Sequence, residues 1–131
     1  MKYGFISVDL KSKLYSMSLF TVENLGWLMT LAILILTGKG IYGKIIGSQE
    51  AVGNFTYMKL SNYRLLVGLS ELVGLILLVI PATAIYGAII MGSIMSAAVV
   101  IHLSLFGGAK TYFPILIGVL GYLSVILRHL I

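Results

Sequence analysis

Three ionisable side chains fall inside long apolar stretches of this sequence: Glu23, Glu71 and His102. An ionisable group at membrane depth is expensive to hold, so each is a candidate for binding a ligand or moving a proton. At a rise of about 1.5 Å per helical residue, Glu71 lies about 12 Å along an apolar run that starts near Tyr63. His102 lies about 8 Å short of the end of the next run, near Gly107. Antiparallel helices would bring both side chains to one leaflet. On the same side Lys39 closes the first apolar run, Arg64 stands about two turns before Glu71, and Tyr112 opens the last run. A carboxylate in an apolar setting keeps its charge only beside a cation or a hydrogen-bond donor. The set therefore fits a polar pocket in which Glu71 and His102 carry the chemistry while Lys39, Arg64 and Tyr112 bind a cofactor. A quinone is one candidate, because its carbonyls need hydrogen-bond donors and a proton route. The same residues also fit an interhelical tie, with Glu71 bonded to His102 or to a backbone carbonyl, and the sequence leaves both readings open.

Other chemistries are poorly supplied. Glu23 and Asn24, with Trp27 one turn on, sit near the start of the first run, where they can reach water. Neither His102 nor His129 has metal-ligand spacing around it, so no metal is expected. His102 alone does not make a haem site. The chain has no cysteine, which removes thiol–disulfide chemistry and iron–sulfur ligation by its own thiolates.

The elements that must position these residues follow from hydropathy. The chain has 131 residues, 60% of them hydrophobic and 10% charged, with a mean hydropathy of +1.08. Soluble domains run at about 45–50% apolar and about 25% charged, and a chain this short cannot hide such an excess in its own interior. Apolar segments at about 17–37, 63–80, 82–106 and 112–128 each approach the ~20 residues that span a bilayer. Helices satisfy their own backbone groups, as lipid requires. The expected fold is all-α: one domain over 1–131, an integral membrane four-helix bundle, with a long, partly amphipathic loop between helices 1 and 2. Gly38 and the Gly107–Gly108 pair read as helix stops, and Pro81 as a break between two helices forming a hairpin. Within the loop, Ser48 is placed to cap a short helix over Gln49–Tyr57. The first fifteen residues, with Tyr3, Phe5, Leu10 and Leu14 among lysines, read as an interfacial piece. They do not read as a cleaved signal peptide.

The formal charge is +5. The basic residues fall mostly outside the apolar runs, where they meet anionic headgroups. No basic face with interleaved aromatics suggests a nucleic acid. Lysine and arginine divide almost evenly between the two sides, so the charge rule does not orient the chain. Membrane lipids are the expected partners, together with either a membrane or peripheral protein or a second copy of the chain.

Three segments together carry a family resemblance: Gly38-Lys39-Gly40, then Gly68-Leu69-Ser70-Glu71-Leu72-Val73-Gly74, then Met95-Ser96-Ala97-Ala98 through His102. The pattern resembles the DoxX-like membrane proteins over about 31–108. The resemblance implies a four-helix bundle in the bacterial cytoplasmic (inner) membrane. Some members of that family are subunits of thiosulfate:quinone oxidoreductases, and others are linked to redox complexes. Cysteine-bearing relatives are tied to disulfide chemistry, which this chain cannot perform itself. The first expectation is thus a small membrane subunit of a quinone-linked redox system. A non-catalytic scaffold or assembly protein is the alternative, and a stand-alone enzyme acting on a lipid or isoprenoid is the third.

Overall fold

Gly38 does not end the first helix. In the computed structural model, which describes the backbone of residues 2–129 and the side chains of residues 22–129, α1 runs as one helix from Lys2 to Ile46. Glycine lowers helix propensity but stops a helix only where the backbone turns left-handed. That happens at Gly47, at φ 79°, where Gly47 and Ser48 both donate their N–H to Gly43 O at 2.9 Å. A Cβ placed on Gly38 would meet nothing within 4 Å. Gly38→Ala is therefore expected to leave thermal stability unchanged or raise it by up to ~1 kcal/mol, the ordinary helix-propensity gain. A stop at Gly38 would make the same change destabilising. The interfacial role expected of the first fifteen residues concerns side chains outside those described.

After α1 come α2 (Gln49–Tyr57), α3 (Arg64–Val79), α4 (Ala84–Leu105) and α5 (Tyr112–Arg128), with 3-10 turns at Ser61–Tyr63 and Pro81–Thr83. No strand occurs among the described residues. The loop helix forms where its cap predicts, with Ser48 Oγ accepting from Ala51 N at 3.2 Å. Pro81 occupies the first turn of its 3-10 segment, where its missing N–H leaves no bond unmade.

The four long helices close into a ring, α1 packing on α3 and α5, and α4 on α3 and α5. Ile33, Leu78, Ala88, Met91 and Ile117 fill its centre and are almost wholly buried. The closest backbone approach involves Gly87 on α4. A Cβ there would lie 2.6 Å from Gly74 O and from Leu78 Cα. The outer surface is apolar as well, with Leu28 and Ile35 exposed on α1, Leu66 and Val73 on α3, and Val100 and Leu103 on α4. Bands of this kind exceed what a water-facing monomer presents. Three helical stretches, Val22–Ile46, Ser61–Val79 and Pro81–Leu105, are long and apolar enough to cross a membrane. The fourth, α5, is apolar but has 17 residues, or about 25 Å.

Candidate functional site

The carboxylate flagged by the sequence is held by a residue the sequence reading passed over. Glu71, on the inward face of α3, is buried, and Lys44 Nζ reaches its Oε1 at 3.0 Å and Oε2 at 3.1 Å. Lys44 belongs to the last turn of α1, the part that continues beyond Gly38. A readable signal ran through those glycines. Thr30, Ile33, Thr37 and Ile41 are buried at steps of three, four and four residues, and a further step of three lands on Lys44. The threonines fit this apolar stripe by bonding back to their own helix, Thr30 Oγ1 to Gly26 O and Thr37 Oγ1 to Ile33 O.

Arg64 is close by but does different work. Its Nη1 donates to Lys44 O at 3.0 Å, one of the carbonyls that the end of α1 leaves without an intrahelical partner. A cation at a helix C-terminus also meets the negative end of the helix dipole. Helices α1 and α3 thus exchange cations, Lys44 going to the α3 carboxylate and Arg64 to the α1 backbone. Only the Glu71 side chain among these is nearly closed to the surroundings, at 4% exposure against 23% for Lys44.

His102 stands apart from this pair. Its Nδ1 lies 2.8 Å from Ala109 O. A carbonyl only accepts, so Nδ1 carries a proton and donates in this contact. The ring also packs on Phe106, centroids 5.3 Å apart, and Phe106 packs on Tyr57 at 5.2 Å. Tyr57 Oη donates to Leu105 O at 3.1 Å. His102 therefore shapes the α4–α5 turn and, through Phe106, the seat of α2. Lys39 is exposed on α1, and Tyr112 is exposed at the start of α5. Of the five residues nominated as a site, Glu71 and Arg64 come together around the end of α1, while Lys39, His102 and Tyr112 have other surroundings. Two shallow open grooves are present, one lined by Leu34, Leu72, Leu75, Ile76, Val79 and Ile80, the other by Pro81, Ala82, Ile85, Val125, Ile126 and His129. None of the five nominated residues lines either groove.

A second polar cluster occupies the opposite end of the ring, and sequence reasoning missed it. Arg128, the last residue of the fourth apolar segment, turns inward and is 7% exposed. Its Nη1 donates to Leu78 O at 2.7 Å and to Thr30 Oγ1 at 3.2 Å, and its Nη2 donates to Val79 O at 3.2 Å. The guanidinium carbon lies 3.8 Å from the centre of the Trp27 ring, within range of a cation–π attraction. Thr83 Oγ1 donates to Leu77 O at 3.0 Å. Three consecutive carbonyls at the C-terminus of α3 are thereby satisfied by side chains. Among the described residues, Nε of Arg128 is buried without a partner. Glu23, one turn before Trp27, is partly exposed.

Among the described residues no three His, Cys, Asp or Glu side chains gather into a metal-binding group. Comparison of the chain with protein-family models, with curated proteins and with solved structures finds no match.

Proposed function

We propose that this chain is a multi-pass membrane protein, a four-helix bundle that crosses the bilayer with α1 from about residue 22, α3, α4 and α5. Its function is that of a non-catalytic membrane scaffold or assembly subunit. One observation carries this reading: the ionisable side chains Lys44, Arg64, Glu71, His102 and Arg128 each bond a group within the protein. Residues arranged to process a substrate converge on a cavity, and neither of the two grooves described above is lined by Lys44, Arg64, Glu71, His102 or Arg128. Here Glu71, Arg64 and Arg128 join helices, and His102 braces a turn. The surface offered to partners is the apolar belt together with α2. The resemblance to DoxX-like proteins supports the bacterial cytoplasmic membrane as the setting.

A quinone-linked redox subunit is the second reading, favoured by the partial opening of Lys44 beside a closed carboxylate. A proton could pass between Glu71 and the interface through that ammonium. One variant pair separates the two. Removing one member of a buried ion pair strands the other charge, whereas replacing both with apolar groups of similar volume is often neutral. Glu71→Gln is expected to lower the melting temperature of the purified protein, and Lys44→Met with Glu71→Leu to recover most of that loss. The double variant should also still co-purify from native membranes with whatever partner the wild type retains. A double variant that folds and keeps its partner, yet abolishes quinone-linked turnover in that complex, would overturn the scaffold reading in favour of the redox one.

A further inference from the structure

Among the described residues, the backbone is left-handed at five positions: Gly47, Gly107, Gly108 and two lysines, Lys59 at φ 60° and Lys110 at φ 58°. A side chain with a Cβ is disfavoured there, and glycine is the residue that avoids the clash. Lys59 takes the place where glycine usually closes a helix. Its N–H bonds Thr56 O at 3.0 Å, and the next N–H, of Leu60, bonds Phe55 O at 2.8 Å, the paired bonds that end α2. Lys110 meets a second local cost. It lies just ahead of Tyr112, the first residue of α5, and the positive end of a helix dipole repels a cation.

The two lysines belong to neighbouring turns. The Tyr57 hydroxyl ties the end of α2 to Leu105 O at the end of α4, and Tyr57 packs on Phe106. His102 pins the turn that contains Lys110 by bonding Ala109 O. Both lysines are exposed. The ion pair among the described residues is Lys44 with Glu71, and neither turn lysine forms one with a described carboxylate. Tyr57, Tyr63 and Tyr112 are exposed around them, the side-chain type that settles at headgroup depth. We infer that Lys59 and Lys110 form a two-turn clamp for the phosphate of an anionic phospholipid headgroup. This rests on the reading that the chain spans a membrane. The left-handed conformations fix the direction in which each lysine stem leaves the backbone, and the tyrosines hold the two turns at the depth of the lipid phosphates.

The test uses the full chain in phosphatidylcholine bilayers, with spin-labelled phosphatidylglycerol or spin-labelled phosphatidylcholine as the probe. The wild type is expected to hold phosphatidylglycerol preferentially in its motionally restricted shell, and the preference should shrink in high salt. Lys59→Gly with Lys110→Gly should weaken the preference by about fivefold per lysine removed. Its thermal stability in neutral detergent should hold or rise, since glycine suits both backbones. Lys59→Arg with Lys110→Arg keeps the charge and should keep the preference. A purely structural role predicts the reverse pattern, with binding unchanged in the glycine variant. A restricted shell with no preference for phosphatidylglycerol would overturn the clamp alone. Absence of any restricted lipid would overturn both the clamp and the membrane-spanning reading beneath it.

Discussion

Arg128→Ala is expected to destabilise the protein by about 2–4 kcal/mol, because hydrogen bonds to a charged group each contribute about 1.5–3 kcal/mol and only part of that is offset by removing a buried charge. The offset matters to the sign. Leu78 O and Val79 O remain at the end of α3 when the guanidinium is gone, and no other side chain among the described residues donates to them. The stacking on Trp27 is lost as well. Arg128→Lys should fall between the two, since a single ammonium cannot reproduce a planar fork reaching two carbonyls and a hydroxyl. Denaturation of the purified protein in detergent, followed by circular dichroism, measures all three. An alanine variant as stable as the wild type would mean that water or lipid replaces the guanidinium at those carbonyls, and the structural role assigned to Arg128 would be wrong.

Gly87→Ala is expected to be the most damaging single-methyl change in the bundle, costing about 3 kcal/mol or more. The added carbon would press on the α3 backbone at Gly74 and Leu78. Backbone cannot rotate out of the way as a side chain can, so α3 and α4 would have to separate. Separation also withdraws Leu78 O from Arg128, which couples the two clusters. Gly118→Ala is the matched control. Its new methyl would lie 3.7 Å from Met95 Cβ, an ordinary contact, and near-neutral stability is expected. Equal effects at Gly87 and Gly118 in the same unfolding assay would refute close α3–α4 packing.

Local chemistry was legible in the sequence, and facing was not. The cap at Ser48 fixed the start of α2 because the bond it makes spans only three residues. The end of α5 at Arg128 and the break at Pro81 were readable for the same reason. The end of α1 was not, because a glycine permits a left-handed turn without requiring one. Gly38 and Gly40 stay helical, and Gly47 turns. That misplacement of the helix end drew attention to Lys39 and away from Lys44. Depth along a helix put Glu71 and His102 near one leaflet, but depth carries no information about rotation. Glu71 looks toward α1, and His102 folds back onto its own turn. Arg128 was the least legible. A basic residue at the end of an apolar run normally snorkels. Its inward turn depends on orphan carbonyls some fifty residues away in sequence, which no local pattern announces.

That sequence separation sets an order of events during synthesis. The ribosome releases the end of α3 well before Arg128, the partner of Leu78 O at a separation of 50 residues. At about 5–20 residues per second the wait is on the order of seconds. Thr83 covers Leu77 O almost at once, being only six residues on, but Leu78 O and Val79 O stay open until α5 has been made. A nascent α3–α4 hairpin can thus form early without being locked. α5 supplies the latch, and the end of α3 is closed only when that helix arrives.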